Sequence, residues 1–285
     1  MESFEYRPLE GLLSISKEEI SNASILSTLN YVEEKIKSSP SGRVRDLALL
    51  FYLIKYMNEA DLDFYVKGGV VQHYYLKDNA RPTYDLDIII EDDSDAFVSK
   101  LEKSLFKKNA RIKNYKKIPA DEVYYYDIFK LEVELLEGEE VFATIHLDGI
   151  VNPDIYKAIS PLEYKVPKVI AANMTFKGVH IEYVMAEKII AITNELVRPS
   201  KHLIDVYSLM NLDIDKELLK KYLNLIVDND NKVRRRLGQD ITPYLYQIKK
   251  NKEFVGSYIF EALQVGYNIP IKEMIDRVNN WLKEL

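Results

Sequence analysis

The feature that most constrains the fold is one short block in the first third of the chain. Phe64–Lys67 is aromatic and β-branched, which is typical of a strand. Gly68 and Gly69 end this strand, and Val70–Leu76 can form a short helix. Asp85–Ile90, with the sequence DLDIII, begins sixteen residues after Gly69 and predicts a second strand. The block therefore predicts a sheet in which a helix follows directly on a glycine turn.

Asp85 and Asp87 are the candidate metal ligands of this block. Side chains alternate across a strand, so both carboxylates point to one face, with Cα atoms about 7 Å apart. Carboxylate oxygens suit a hard divalent ion, Mg²⁺ or Mn²⁺. The structural alternative is that this Asp-x-Asp occurs by chance and that the glycines only make a turn.

The other residues of the block suit a phosphate. The turn at Lys67, Gly68 and Gly69 places backbone N–H groups at the positive end of a helix, where a phosphate can bind. Arg81 and Thr83 add a cation and a hydroxyl just before the second strand. A phosphate cradle beside paired carboxylates is the minimum machinery for phosphoryl or nucleotidyl transfer from an NTP.

Three sequence blocks resemble a known family. Residues 66–69 (VKGG) and 81–88 (RPTYDLDI) resemble the first motif of the polymerase-β-type nucleotidyltransferase superfamily, and within it the AbiEii/AbiGii abortive-infection toxin family. Residues 183–191 (YVMAEKIIA) resemble that family's Ala-x-Lys-[Ile/Leu]-x-Ala helix. Residues 201–209 (KHLIDVYSL) resemble its Lys/Arg-Asp-x-x-Asp-Leu-Tyr-x-Leu segment.

The resemblance implies a reaction and a biological setting. The enzyme would move a nucleoside monophosphate from an NTP to an acceptor hydroxyl, with a tRNA end as the implied acceptor. It would act as the toxin of a toxin–antitoxin or phage-defence system, with a cognate antitoxin. Lys188 would contact the triphosphate, and Lys201 and Asp205 would contact the nucleotide or orient the site. Without the resemblance, Lys188 would snorkel to the surface and Lys201 and Asp205 would be a surface ion pair.

Two positions depart from the family pattern and keep other functions open. Glu195 stands where the family usually has Arg, and His202 where it usually has an acidic residue. One alternative is therefore a catalytically silent module that binds nucleotides or proteins. Another is a protein-modifying enzyme whose acceptor is a Ser or Tyr hydroxyl.

Metal-assisted nucleotidyl transfer typically needs a third carboxylate from a neighbouring strand, which helps to deprotonate the attacking hydroxyl. Asp148 is the candidate, because it ends the alternating strand Val141–Leu147 at the position that the resemblance predicts. Its structural alternative is a turn aspartate. Glu132 and Glu134, in the middle of a predicted strand, are the other candidates.

Composition excludes several classes of protein. The absence of cysteine excludes disulfides and thiol–zinc sites and fits a cytoplasmic chain. No apolar run is long enough to span a membrane. The net charge of −6 argues against a protein that coats nucleic acid. Two basic runs could still be local nucleic-acid patches or solvated faces: residues 107–117 and 232–236. Several of the 21 tyrosines could stack bases, although half-buried sheet positions are the favoured interpretation: Tyr124, Tyr125, Tyr126, Tyr244 and Tyr246.

Periodicity predicts an α+β fold in two domains. Residues 1–182 form a nucleotidyltransferase domain with a mixed β-sheet flanked by helices, and residues 183–285 form a helical bundle. Within the first domain, residues 1–20 are predicted to be irregular. Residues 150–180, with three prolines, are predicted to be a surface excursion with short strands.

Overall fold

The computed structural model describes residues 8–16, 24–36, 43–77, 80–120, 126–192, 199–228 and 252–285. The chain divides into two compact units. Unit 1 comprises Met1–Asp78 and Pro82–Val179, and unit 2 comprises Asn79–Arg81 and His180–Leu285.

Unit 1 contains a seven-stranded mixed sheet in the order β3-β4-β5-β2-β1-β7-β6. The strand β2 pairs parallel to β5 and antiparallel to β1, and β1 pairs parallel to β7. The pairs β3–β4, β4–β5 and β6–β7 are antiparallel. The strands are β1 Tyr65–Lys67, β2 Asp85–Ile90, β3 Ala110–Ile118, β4 Asp127–Glu137, β5 Glu140–Val151, β6 Leu162–Lys165 and β7 Thr175–Gly178.

One face of this sheet is apolar and lies in the core. Because side chains alternate along a strand, Leu131 and Leu147 share this face and are fully buried. The helices α3 and α5 contact the sheet and each other. The helices of unit 1 are α1 Pro8–Ser14, α2 Ile25–Ile36, α3 Arg43–Glu59, α4 Gly68–Leu76, α5 Ser94–Leu105 and α6 Pro153–Ala158.

Unit 2 is helical in its described part. Its helices are α7 Ile181–Ile192, α8 Pro199–Leu209, α9 Lys216–Asp228, α10 Lys252–Gln264 and α11 Ile271–Leu282. The helix α7 contacts α8 and α9, and α8 contacts α10 and α11. Residues Tyr183–Ala186 of α7 are all buried, so this helix forms the centre of unit 2. Within the described ranges, no helix is both long and apolar enough to cross a membrane.

The predicted fold class is confirmed: a mixed sheet flanked by helices, with helices following at the C-terminal end. Two local predictions are wrong. The segment 150–180 is part of the sheet, because β7 pairs with β1 and β6 pairs with β7. The two four-residue strands agree with the predicted short strands, but they extend the sheet and do not form a surface excursion. The segment 1–20 contains the helix α1, which buries Leu9 and Leu12.

Candidate active site

The three candidate carboxylates lie on the polar face of the unit 1 sheet, opposite the apolar core face. In the parallel pairing of β2 with β5, Asp87 is directly opposite Asp148, and Asp85 is opposite His146. Residues that are paired across neighbouring strands point to the same side of the sheet, so all three carboxylates share this face. Asp148 does not end its strand as predicted, because β5 continues through it to Val151.

The register extends this pairing into a row of five charged residues. Lys116 on β3 is opposite Lys130 on β4, and Lys130 is opposite Asp148. On the other side, Asp87 is opposite Lys67. We call these five residues the charged row: Lys116, Lys130, Asp148, Asp87 and Lys67. Lys130 Nζ lies 2.5 Å from Asp148 Oδ2, so a protein cation compensates this carboxylate.

The glycine turn brings backbone against this row. The helix α4 begins at Gly68, directly after β1, and Gly68 has φ +66°. A Cβ atom at Gly68 would lie 2.2 Å from Asp87 Oδ2, and one at Gly69 would lie 2.3 Å from Thr83 Oγ1. Thr83 in turn donates a hydrogen bond to the Asp85 carbonyl oxygen at 3.2 Å. The first turn of α4 therefore approaches the carboxylate strand more closely than any side chain would allow.

The donor set on this face fits a divalent metal. Asp85, Asp87 and Asp148 supply only carboxylate oxygens, and the backbone of the Gly68 turn lies close to Asp87. These three residues would hold the ion. In the described part of the chain, no three His, Asp or Glu side chains already converge on one metal position. Asp148 instead faces Lys130.

The alternative third carboxylates have other partners. Glu134 is buried and accepts a hydrogen bond from Arg111 Nε at 2.8 Å, with Lys113 Nζ at 3.3 Å. The hydrogen bond from Arg111 lowers the pKa of the Glu134 carboxyl, in spite of the opposing effect of burial. Glu132 lies 4.0 Å from Lys113 Nζ. Of the three candidates, Asp148 is the one in register with Asp87.

Three further predicted residues form a buried ion network in unit 2. The Asp205 side chain is only 2% exposed and accepts a hydrogen bond from Arg81 Nε at 3.0 Å. Lys188 Nζ lies 3.1 Å from Asp205 Oδ2. Arg81 also donates to Glu261 on α10 at 3.0 Å. We call these four residues the buried network: Arg81, Lys188, Asp205 and Glu261. Asp205 is therefore buried, whereas the alternative interpretation predicted a surface ion pair with Lys201.

Burial and charge set the protonation states of this network. Burial alone would raise the pKa of the Asp205 carboxyl, but the charges of Lys188 and Arg81 outweigh it and hold that pKa well below its usual value. Burial, reinforced by the charge of Lys188, holds the pKa of His202 well below its ordinary value. His202 is therefore a neutral residue at physiological pH, and its Nδ1 atom has no hydrogen-bond partner within the described residues.

The structure assigns the predicted site residues to two sets. Unit 1 holds seven of them: Lys67, Gly68, Gly69, Thr83, Asp85, Asp87 and Asp148. Unit 2 holds Arg81, Lys188, Asp205 and the half-buried Lys201 on α8. Glu195, Tyr124, Tyr125, Tyr244, Tyr246 and the basic run 232–236 lie outside the described residues.

Sequence reasoning missed Lys130 and Glu261. Lys130 could have been found from the β4–β5 hairpin, because the turn at Gly138 places it near Asp148. Glu261 lies 180 residues from its partner Arg81, and no local pattern marks it.

Comparison with protein families identifies the chain. The model of the nucleotidyl transferase AbiEii toxin, from type IV toxin–antitoxin systems, matches residues 56–280. This protein belongs to the AbiEii family. The resemblance seen in the three sequence blocks is thereby confirmed, and the protein is a nucleotidyltransferase of a toxin family. Membership implies an NTP substrate and a cognate antitoxin, and nucleotidyltransferases of this fold generally use a divalent metal.

Solved structures include distant neighbours of this AbiEii protein. One is an antigenic nucleotidyltransferase-like protein from Paracoccidioides brasiliensis, with 13% identity over 67% of this chain and 91% of that chain, at a TM-score of 0.38. Another is the Megavirus polyadenylate synthase, with 11% identity over 91% of this chain and 52% of that chain, at a TM-score of 0.35. A comparison with curated protein sequences found no significant match.

Proposed function

We propose that this AbiEii protein is a metal-dependent enzyme that transfers a nucleoside monophosphate from an NTP to an RNA hydroxyl, with the end of a tRNA as the acceptor. The acceptor oxygen attacks the α-phosphorus, the bond from that phosphorus to the bridging oxygen breaks, and pyrophosphate leaves. The modified tRNA would no longer serve translation, which gives the toxic effect. The reaction would take place in the cytoplasm, which supplies the NTP.

The residues of unit 1 take the chemical roles in this proposal. Asp85, Asp87 and Asp148 would hold Mg²⁺ or Mn²⁺, and the ion would stabilise the charge that develops on the phosphate oxygens. Asp148 also accepts the proton of the attacking hydroxyl. Gly68 and Gly69 let the backbone N–H groups approach the phosphates, with Lys67 and Thr83 beside them.

Unit 2 supplies positive charge for the triphosphate in the same proposal. Lys188, Lys201 and Arg81 are its cations, and Asp205 orients two of them. Since Asp205 is buried between Arg81 and Lys188, it acts through these residues and is a positioning residue.

The observation that carries the proposal is the pairing of Asp87 with Asp148 across parallel strands, with the Gly68 turn against Asp87. An ordinary surface carboxylate has no need of a backbone turn too close for a Cβ atom. The arrangement supports a metal and a phosphate bound side by side on one face of the sheet.

The test is transfer of label from each of four α-labelled NTPs, with Mg²⁺ or Mn²⁺, to total RNA and to total protein. The wild type is expected to label an RNA band in the size range of tRNA. The Asp85→Asn/Asp87→Asn double variant is expected to label nothing while it binds antitoxin and melts like the wild type.

A matched pair of variants identifies the third carboxylate. Asp148→Asn is expected to abolish transfer. Glu132→Gln, on the neighbouring strand β4 and the same face of the sheet, is expected to retain it. The reverse result would move the role to Glu132.

The same assay separates the alternative functions. Label in protein bands alone would establish a protein-modifying enzyme. NTP binding without transfer to either acceptor, and without any effect of the Asp85/Asp87 changes, would establish the silent module.

A further inference from the structure

We propose that Lys116 and Lys130 bind backbone phosphates of a polynucleotide acceptor and so present its terminal hydroxyl to Asp148. This inference rests on the proposed function, and it names the surface that holds the acceptor. We call this surface the acceptor strip, and define it by Lys116 and Lys130 with the neighbouring Ile118 and Ile128.

The position of the strip follows from the strand register. The strand β3 is the edge of the sheet, and Lys116, Lys130 and Asp148 follow one another across β3, β4 and β5. Neighbouring strands lie about 4.8 Å apart, so Lys116 is about 10 Å from Asp148 along the row. That span suits the reach from a terminal hydroxyl to the first phosphodiesters before it.

The two lysines form an unusual pair for the stability of a sheet. Like charges directly opposite each other on neighbouring strands are destabilising. Lys130 is compensated by Asp148, but within the described residues no carboxylate lies at ion-pair distance from Lys116. A cation that the described residues leave without an ion pair, beside a second cation, suits an anion from outside the chain.

The other cations of β3 behave differently. Arg111 and Lys113 are paired with Glu134, and Lys117 is paired with Asp95. Of the four cations on this strand, Lys116 is thus the one that the described residues leave without an ion pair. The sequence left the basic run 107–117 open as a nucleic-acid patch or a solvated face. Among its cations on β3, Lys116 is the one in line with the carboxylates.

The neighbouring positions suit a nucleotide as well. Ile118 is opposite Ile128, and both are half-buried apolar residues beside the two lysines on the same face. On the other side of the row lie the polar residues Asn114 and Glu132. Cations beside two apolar side chains match a nucleic-acid strand, which carries phosphates along one edge and bases along the other.

The repetition of charge favours a polynucleotide over a protein acceptor. Two lysines in line with the reacting group match two successive phosphates before a terminal hydroxyl. A Ser or Tyr acceptor has no such phosphates. Because the whole chain carries a net charge of −6, these cations act locally and do not make the protein a general nucleic-acid binder.

The first test is equilibrium binding of a short 5′-fluorescent RNA with a free 3′-hydroxyl, measured by anisotropy at several salt concentrations. We expect Lys116→Gln to weaken binding several-fold and to lower the slope of log affinity against log salt by about 0.7, the value for one single-strand phosphate contact. The matched control is Lys165→Gln, an exposed lysine on β6 at the opposite edge of the same sheet. The control should bind RNA like the wild type.

The second test removes the negative charge of a single phosphate near the 3′ end of the RNA. A methylphosphonate replaces the first or the second phosphodiester before the 3′ end. We expect one of these RNAs to bind the wild type as weakly as normal RNA binds Lys116→Gln, with no further loss when both changes are combined. A DNA strand of the same sequence separates phosphate recognition, which DNA shares, from recognition of the 2′-hydroxyl, which it lacks.

The outcomes separate this inference from the proposed function, because binding needs no turnover. Wild-type affinity and salt slope in Lys116→Gln would overturn the inference even if transfer to RNA occurs. Dependence of RNA binding on Lys116 without any transfer would support the acceptor strip and count against the enzyme. Labelled protein as the sole product, unaffected by Lys116→Gln, would also overturn the inference. Lys130 is not the test residue, since its change also alters Asp148.

Discussion

The charged row of unit 1 and the buried network of unit 2 both join carboxylates to cations, but in opposite environments. In the row, the side chains of Lys130 and Asp148 are 49% and 34% exposed. In the network, Asp205 is 2% exposed and Arg81 is 14% exposed. Exposed ion pairs contribute little to stability and exchange partners readily, whereas a buried charge that loses its partner is costly. The row is suited to binding ligands, and the buried Asp205 of the network is suited to holding its cations in place.

The largest expected effect is a change in the charged row that abolishes activity and leaves stability almost unchanged. Asp87→Asn should lower nucleotidyl transfer by about 1,000-fold or more, because a metal contributes several kcal/mol to the transition state. The free energy of unfolding should change by less than about 1 kcal/mol, since Asp87 is partly exposed and a carboxylate neighbour is relieved of repulsion. Label transfer and chemical denaturation measure the two effects. A loss of stability large enough to explain the loss of transfer would show that Asp87 serves the fold.

The opposite pattern is expected in the network. Asp205→Ala leaves Arg81 and Lys188 near the interior without their shared carboxylate, so the free energy of unfolding should fall by about 3–5 kcal/mol. Urea denaturation of the full chain measures this loss. The control is Glu217→Ala, which removes an exposed pair with Lys220 in the same unit and should cost under about 1 kcal/mol. Similar losses for both variants would contradict the contrast between row and network.

A comparison of two glycine substitutions tests whether the close approach at Gly68 matters for catalysis. Gly68 and Gly138 have nearly the same positive φ, +66° and +64°, but only Gly68 has a neighbour that a Cβ atom would meet. Gly138→Ala should therefore cost about 1–2 kcal/mol of stability through backbone strain, with activity retained. Gly68→Ala should pay the same strain and also displace Asp87, so that transfer falls at least about tenfold more than in Gly138→Ala. Equal activities would separate the turn from catalysis.

The smallest effect is a pH dependence of stability that arises at His202, which lies beside the buried network. Burial lowers the pKa of His202, so between that value and about 6.5 the unfolded chain binds a proton that the folded chain does not. The contribution of neutral His202 to the free energy of unfolding is therefore fully present above about pH 6.5. Below that pH the free energy of unfolding falls by up to about 1.4 kcal/mol per pH unit. Asp205, whose pKa is also lowered, acts in the same direction but only below about pH 4.

Thermal melting between pH 7 and pH 5 measures this slope. His202→Gln should flatten it. An unchanged slope in His202→Gln would assign the pH dependence to other groups.

Much of unit 1 could be predicted because its signals are local. The glycine turn, the DLDIII strand and the alternation of Val141–Leu147 each lie within a few residues, where periodicity reports which face is buried. Short strands were predicted in the segment that contains β6 and β7, but their place in the sheet was missed, because four residues carry too little alternation to show where a strand pairs. The end of β5 was placed too early because Gly149 interrupts the apolar pattern, although a Cβ atom there would lie 2.2 Å from the Phe129 ring, which fills that space.

The sequence by itself determined the fold class, the family and the identity of the candidate carboxylates, since these depend on the order and spacing of nearby residues. Only the tertiary structure decided which residues meet. Asp148 and Lys130 became neighbours of Asp87 through strand register, and Arg81 became a partner of Asp205 and Glu261 across 124 and 180 residues. Such pairs depend on how distant segments pack, and the pattern along one segment is the same whether or not the pair forms.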